Sequence, residues 1–416
     1  MHRSRDRNPV AASASLDLLV IKRLSSEMLK SALRHPILRA LVVVAAMVSA
    51  CTGADLRTPY TESELQIAVP MGIPAVRTWA DAPLSVLAPQ VSHLPIMTGR
   101  HDFSILALSG GGEHGAFGAG LLNGWSETGH RPNFSIVTGI STGALMSPFA
   151  FLGSAYDERL KALYTDMSMH SVLSGSPLMG LFGEGLYSTG PLQRIIARQI
   201  DQTMLADIAA AHRQGRRLFV VTTNLDAQRP VLWNMGAIAN SGQPRALELF
   251  RKVLLASASV PGLFDPVFID AEANGHHFKE MHVDGGTALE VLAIPLKLAA
   301  AGRFAFAHGA PGRLYIVINN NLDPAFLVTK PKTLAITARA FNTMVKSDIY
   351  DTILGSYLYA QKQGLQFNLA YIPNSFKAKS LELIDPQYMA ALFEFGRARG
   401  RLGGGGWEHL PPRLYR

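Results

Sequence analysis

From residue 103 onward, short runs of apolar residues alternate with longer segments in which apolar and polar residues are mixed. The apolar runs are typical of strands buried on both faces of a sheet, and the mixed segments are typical of helices. Strands that alternate with helices in this way indicate an α/β fold with a mostly parallel central sheet. The strands are predicted at 103–109, 134–141, 217–225 and 313–321, and the helices at 115–129, 142–153, 190–201, 246–256 and 332–363.

The two ends of the chain have a different pattern. Residues 51–100 are rich in Pro, Thr and Ser and lack a clear period, which predicts a tether and an N-terminal wrap around the domain. The main domain is predicted at 101–375, and a C-terminal segment at 376–416. Within that last segment, the four glycines at 403–406 favour a flexible tail.

Composition and charge narrow the class of protein. Apolar residues make up 48% of the 416 residues and charged residues only 17%, so the chain has enough apolar surface to bury a large core. The net charge is +8, but the first fifty residues carry eight Lys or Arg and three Asp or Glu, which leaves +3 for the rest. A basic surface for nucleic acid is therefore not expected.

Residues 1–50 have the layout of a signal peptide. Three cations precede an uncharged stretch at 40–50, which is shorter than the roughly 20 residues that a membrane-spanning helix needs. Met28 is an alternative start for this leader. The only cysteine, Cys51, follows the sequence Val-Ser-Ala. This short motif resembles the lipobox of bacterial lipoproteins, and the alternative is an ordinary secretory signal followed by an unrelated cysteine.

The lipobox resemblance implies that Cys51 is lipidated and becomes the mature N-terminus. Thr52 and Gly53 follow it, and no Asp is present there to favour retention in the inner membrane. The resemblance therefore implies a location in the cell envelope of a Gram-negative bacterium, in the outer membrane and facing the periplasm. A single cysteine also excludes a disulfide within the chain.

A glycine-rich loop follows the first predicted strand. Gly110, Gly112 and Gly115 match the pattern G-x-G-x-x-G of dinucleotide-binding folds. That interpretation also requires an acidic residue at the end of the next strand to bind the ribose, and residues 138–141 contain none. An oxidoreductase is therefore disfavoured, and a titration with NAD(H) tests it directly.

The second predicted strand ends in the sequence Gly139-Ile-Ser141-Thr-Gly143. This is the pattern G-x-S-x-G, in which a nucleophilic serine occupies a strained turn between a strand and a helix. The glycines two residues before and after the serine allow the strand and helix to approach closely. The start of the following helix also favours negative charge at the serine.

The glycine loop and the serine turn fit a single reaction. When a serine attacks an ester, charge develops on the carbonyl oxygen and requires preorganised N–H donors. The backbone amides of Gly110, Gly111 and Gly112 are candidates for this oxyanion hole.

The serine also needs a base. One candidate is Asp284, which ends a short apolar stretch and precedes two glycines, although a turn aspartate in a hairpin would look the same. The other candidates are the late histidines His276, His277, His282, His308 and His409.

Four motifs together resemble the patatin-like phospholipase family. Residues 109–122 resemble its glycine-rich oxyanion loop and residues 139–145 its serine turn. Residues 255–267 resemble the A-S-x-x-x-P-x-x-F segment that packs beside the active site, and residues 283–286 resemble the D-G-G motif. The resemblance covers about 103–290 and follows the order of the family's motifs.

The resemblance implies a three-layer α/β/α fold, a catalytic dyad of Ser141 and Asp284, and hydrolysis of lipid acyl esters without a metal or an organic cofactor. Two features depart from the family pattern. His114 stands where the family usually has Arg or Lys, and residues 287–295 lack the Asn that usually precedes a proline.

The sequence therefore predicts a lipid-anchored serine acyl hydrolase whose substrate is a membrane lipid or another acyl ester. Two alternatives stay open. One is an α/β-hydrolase esterase with a histidine triad, and the other is a non-catalytic envelope lipoprotein that keeps the fold as a scaffold. No nucleic-acid partner is expected, and the sequence does not indicate an oligomeric state.

Overall fold

The chain is described here by a computed structural model, which covers residues 57–91, 103–166, 172, 185–293, 312–324 and 326–412. The leader at 1–50, Cys51 and His308 lie outside these residues, so their assignments remain predictions. The described residues from Thr58 onward form one compact unit.

In the part of the chain that the structure describes, ten strands form one sheet. Five of them are parallel and adjacent in the order β5-β4-β3-β9-β10. Beyond β5 the sheet is antiparallel. On that side β5 pairs with β8, β8 with β7, and β7 with β1; β5 also forms a hairpin with β6, which pairs with β2. The strands are β1 Val69–Pro70, β2 Arg77–Trp79, β3 Ser104–Leu108, β4 Ile136–Gly139, β5 Arg217–Asn224, β6 Arg229–Asn234, β7 Val267–Ala273, β8 His276–Asp284, β9 Arg313–Asn321 and β10 Gln366–Ile372.

Helices cover both faces of the sheet, and the predicted three-layer α/β/α fold is confirmed. One apolar core lies between the sheet and most of the helices, and a second core lies between the other face and the long helix α10. The helices are α1 Glu62–Ile67, α2 Leu84–Leu87, α3 Gly115–Glu127, α4 Thr142–Leu152, α5 Asp157–Thr165, α6 Gly190–Gln199, α7 Gln202–Arg213, α8 Met235–Ala239, α9 Ala246–Ser257, α10 Thr333–Gln363 and α11 Pro386–Gly400.

The parallel strands β3, β4, β5 and β9 are buried along nearly their whole length, which explains why uninterrupted apolar runs predicted them. The predicted helices also form, with ends within two residues of the expected positions. Of the described helices, none is long and apolar enough to cross a membrane.

The glycines of α3 are explained by its contact with α11. A Cβ atom on Gly120 would lie 2.0 Å from the carbonyl oxygen of Phe393, and one on Gly124 would lie 2.0 Å from that of Arg397. The two helix backbones are therefore in direct contact, which only glycine permits. This contact fixes α3, and with it the glycine-rich loop that precedes the helix.

The prediction of a flexible glycine tail is wrong. Residues Gly403–Gly406 form a turn of 3-10 helix that leads to the buried residue Trp407. The indole of Trp407 packs against Trp125 and Tyr315, with ring centroids 4.9 Å apart in both pairs. Burial of three large aromatic rings stabilises this end of the chain and outweighs the flexibility of the glycines.

Candidate active site

Ser141 occupies a strained turn between β4 and α4. Its backbone has φ 54° and ψ −124°, a conformation that L-residues rarely adopt. A Cβ atom on Gly139 would lie 2.4 Å from the carbonyl oxygen of Gly143, and one on Gly143 would lie 2.4 Å from that of Leu108. The strand, the helix and the neighbouring strand β3 therefore meet at the serine, which is the reason for the G-x-S-x-G spacing.

The end of α9 holds this turn in place. The Ser141 amide donates to Oγ of Ser257 at 3.1 Å, and that hydroxyl donates to the carbonyl oxygen of Val221 at 2.7 Å. Two residues later, the carbonyl of Ser259 accepts a 2.9 Å hydrogen bond from the Asp284 amide. The segment 255–267 therefore contacts both members of the predicted dyad.

Asp284 lies at the end of β8 and is 3% exposed. Its Oδ1 accepts a 2.7 Å hydrogen bond from the Gly286 amide, whereas no group among the described residues donates to Oδ2. Burial raises the pKa of Asp284 to about 7, against the opposing effects of the Ser141 side chain and the Gly286 amide. No hydrogen bond of standard geometry joins the side chains of Ser141 and Asp284.

The alternative that Asp284 is a turn residue of a β-hairpin is wrong, because β8 is followed by a turn of 3-10 helix, Gly285–Thr287. Both Ser141 and Asp284 line one cavity of about 590 Å³. A carboxylate with a raised pKa and a free acceptor oxygen beside a serine is suited to accept the serine proton.

The glycine-rich loop borders the same cavity, but its three amides differ. The Gly110 amide donates to the carbonyl oxygen of Glu290 at 3.1 Å, so it is not available to an oxyanion in this arrangement. Gly111 and Gly112 line the cavity with φ values of 143° and 57°. The predicted set of three donors is thus narrowed to the amides of Gly111 and Gly112.

Asn319, at the end of β9, holds the glycine loop, and the sequence analysis did not identify it. Its amide nitrogen Nδ2 donates to the Ser109 carbonyl at 3.0 Å, and its Oδ1 accepts from the Gly118 amide at 3.1 Å. Its backbone amide donates to Oγ of Ser109 at 2.8 Å. The signal was the run of three asparagines, 319–321, that ends a predicted buried strand.

Glu290 is a second carboxyl group in the cavity that was not predicted. Its carboxyl fills the space beside two glycines, since a Cβ on Gly110 would lie 2.6 Å from Oε1 and one on Gly286 would lie 2.7 Å from Oε2. Burial raises its pKa well above the ordinary value, and the charges of Asp284 and Asp348 raise it further. Glu290 lies in the segment 287–295 that departs from the family pattern.

The late histidines of the described residues lie away from this cavity. His282 is buried inside β8, where Thr222 contacts its Nδ1 at 2.9 Å and Glu280 its Nε2 at 3.1 Å. His276 bonds to Glu64, and His277 and His409 do not line the cavity either. The histidine that does line it is His114, and burial together with Lys346 lowers the pKa of His114 to about 4.

The rest of the cavity wall is partly apolar and partly cationic. The helix α10 lies across from the serine and supplies Arg339 and Lys346 to the wall. The apolar side chains of the wall are Val260, Leu322, Phe341, Val345 and Tyr350. A cavity of this size and lining suits an acyl chain next to a polar group.

A serine at a strand-to-helix turn, a buried carboxylate beside it and two glycine amides form the arrangement that a serine hydrolase requires. Comparison with known proteins makes the class specific: residues 106–299 match the family model described as patatin-like phospholipase. Over this segment the chain is similar to patatin-like phospholipases, a family of lipid acyl hydrolases.

Among solved structures, one that matches is the crystal structure of VipD from Legionella pneumophila. The sequence identity is 11%, the TM-score is 0.36, and the match covers 73% of this chain and 66% of that one. No curated protein sequence matches the chain at a significant level.

Proposed function

We propose that this protein hydrolyses lipid acyl esters with Ser141 as nucleophile and Asp284 as general base. One observation carries the proposal: a single cavity contains both the strained Ser141 and the buried carboxylate of Asp284. Among the described residues, no group donates a hydrogen bond to Oδ2 of that carboxylate. No histidine is required, because a carboxylate with a pKa of about 7 matches the working range of a general base.

The reaction proceeds in two halves. Ser141 Oγ attacks the acyl carbonyl while its proton moves to Asp284 Oδ2, and the amides of Gly111 and Gly112 bind the oxyanion. Collapse of this intermediate breaks the ester bond, and Asp284 returns the proton to the leaving alcohol. Asp284 then takes a proton from water, and the resulting hydroxide attacks the acyl carbonyl. The bond from Ser141 Oγ to the acyl group breaks, the fatty acid leaves, and Asp284 returns the proton to Ser141 Oγ.

We extend the proposal to the location of the enzyme. The motif that ends in Cys51 supports acylation of that cysteine and attachment to the outer membrane, facing the periplasm. Expression with labelled palmitate tests it: label is expected in the parent chain and absent from Cys51→Ser. Label that persists in the variant would refute the anchor without touching the assignment of the active site.

The catalytic proposal is tested with p-nitrophenyl esters of increasing acyl length and with phospholipid vesicles. Ser141→Ala and Asp284→Asn are expected to lose activity on both, and His282→Asn serves as a histidine control. Asp265→Asn is the matched carboxylate control, because Asp265 does not line the cavity. Full activity in Asp284→Asn together with loss in His114→Gln would transfer the role of base to the histidine. A folded parent that hydrolyses no ester would favour a non-catalytic scaffold.

A further inference from the structure

Residues 326–346, called here the mouth segment, form one rim of the active-site cavity. Two of its residues, Phe341 and Lys346, line the cavity, and so does Pro324, which lies two positions before the segment. Lys346 Nζ donates to the carbonyl oxygen of Asp323 at 2.6 Å, and this contact fastens the chain before the segment to α10. The mouth segment therefore has a defined position next to the reacting groups.

The mouth segment exposes an unusual amount of apolar surface. Phe326 is 94% exposed, Leu327 65% and Val328 79%, and these three residues are consecutive. On α10, Ile336 and Met344 are 53% and 70% exposed. Single exposed apolar residues are common on proteins, but a continuous group beside a cavity indicates an interaction surface.

The charge of the mouth segment restricts what this surface contacts. Its sequence contains Lys330, Lys332, Arg339 and Lys346 and no Asp or Glu. Lys330 and Lys332 are exposed, and Arg339 lies close enough to Lys346 to lower the pKa of that lysine, in addition to the effect of burial. The remainder of the chain after residue 50 is close to neutral, so the positive charge is concentrated at this rim.

We infer that the mouth segment docks the protein on an anionic lipid surface and directs the cavity toward it. Phe326, Leu327 and Val328 would enter the boundary between headgroups and acyl chains, while Lys330 and Lys332 contact the anionic headgroups. Apolar insertion combined with cations is what binding at a lipid interface requires. The inference deepens the proposed function, because an acyl ester leaving the bilayer would reach Ser141 past this rim.

The test measures cosedimentation of the full chain with vesicles of phosphatidylcholine, with or without phosphatidylglycerol. Ser141→Ala and Cys51→Ser are present in every protein, so that no lipid is hydrolysed or attached. Lys330→Gln with Lys332→Gln is expected to weaken binding to the anionic vesicles about twenty-five-fold, since each cation near such a surface contributes about fivefold. Phe326→Ser with Leu327→Ser is expected to weaken it by roughly tenfold or more.

Matched controls lie on the other face of the sheet. Arg194→Gln with Arg198→Gln removes two exposed cations from α6, and Leu402→Ser removes an exposed leucine. These variants are expected to bind as the parent does. Equal binding by all variants, or equal binding of the parent to both kinds of vesicle, would overturn the inference.

A second measurement separates docking from catalysis. With Ser141 intact, the Lys330→Gln, Lys332→Gln protein is expected to keep its activity on a soluble short-chain ester and to lose it on anionic vesicles. Loss on both substrates to the same extent would contradict a docking role. Vesicle binding by a protein that hydrolyses no ester would support the inference even though the proposed function had failed.

Discussion

The backbone amide of Ser141 donates a hydrogen bond to the side chain of Ser257, 116 positions later in the chain. The same hydroxyl donates to Val221 in β5, so one side chain joins the serine turn to the next strand of the sheet. A turn with positive φ persists only where its surroundings hold it. The Ser257 contact is the part of those surroundings that the sequence does not make evident.

The first prediction concerns this contact. Ser257→Ala removes the acceptor of the buried Ser141 amide and one donor to the Val221 carbonyl, which costs about 1–3 kcal/mol of folding free energy. Because the loss falls on the nucleophile turn, kcat is expected to drop about tenfold with little change in KM. Ser259→Ala is the control, since its hydroxyl donates only to Leu255 within the preceding helical turn. Equal kcat in both variants would contradict the role of Ser257.

The second prediction is a pH dependence of the rate. Asp284 accepts a proton only when it is ionised, and its pKa is raised to about 7 by burial. The kcat/KM on a soluble ester is therefore expected to rise with pH through about 7 and then level off. A rising limb near the ordinary aspartate value of 3.8 would show that burial does not raise the pKa of Asp284.

A third prediction follows from the same shift but concerns stability. The folded-state pKa of Asp284 lies above its ordinary value of 3.8, so between about pH 4 and 7 the folded protein holds a proton that the unfolded chain has lost. Stability from this group is thus present at low pH and decreases as pH rises through that window. Asp284→Asn removes the buried charge, so we expect a higher Tm than the parent above pH 7 and a similar Tm near pH 4. Equal Tm values at all pH would contradict the shift.

The fourth prediction compares two adjacent glycines of the oxyanion loop. A Cβ on Gly111 would lie 2.0 Å from the carbonyl of Asn319, whereas nothing lies within 4 Å of the equivalent position on Gly112. Gly111→Ala is expected to displace the loop and to lower kcat by about 10²–10³, the usual cost of losing an oxyanion donor. Gly112→Ala adds only the strain of a left-handed residue, about 1–2 kcal/mol. A milder effect at Gly111 than at Gly112 would refute this assignment of the loop geometry.

Local patterns predicted the parts of the site that are local in sequence. Residues 134 to 153 form a continuous strand, serine turn and helix. The spacing of Gly139 and Gly143 in this unit indicates directly that the strand and the helix are in close contact. The strand β8 was missed because its buried face carries Glu280 and His282 in place of apolar residues. This pattern is explained only once Arg77 from β2 is known to pair with Glu280.

Long-range contacts explain the remaining gaps. Asn319 reaches the glycine loop because β9 pairs with β3, although the two strands are separated by some 200 residues of sequence. Helix α10 was predicted, but its position across the cavity depends on how the parallel strands connect. Glu290 was passed over because its significance lies in what surrounds it: Gly110, Gly286 and Asp284.

The fifth prediction tests Glu290 as the second carboxyl group of the site. Its pKa is raised well above the ordinary value by burial and by the negative charges of Asp284 and Asp348, so it keeps its proton to higher pH than an ordinary glutamate. Once it ionises, it places a negative charge beside Gly110, at the edge of the oxyanion loop. The rate is therefore expected to fall again at high pH. Glu290→Gln keeps the shape and the neutral state, so it is expected to retain the neutral-pH rate and to lose the alkaline decline.

The other charged groups near the site determine how this profile is interpreted. Asp348 accepts a 2.9 Å hydrogen bond from the Glu290 amide, and Lys346 contributes a cation to the same wall. Asp348→Asn would lower the pKa of Glu290 and is expected to move the alkaline decline to lower pH, whereas Glu290→Gln abolishes it. Glu290→Ala empties the space between the two glycines and is expected to lower kcat at every pH. An unchanged alkaline decline in Glu290→Gln would assign it to another group and leave Glu290 with a packing role only.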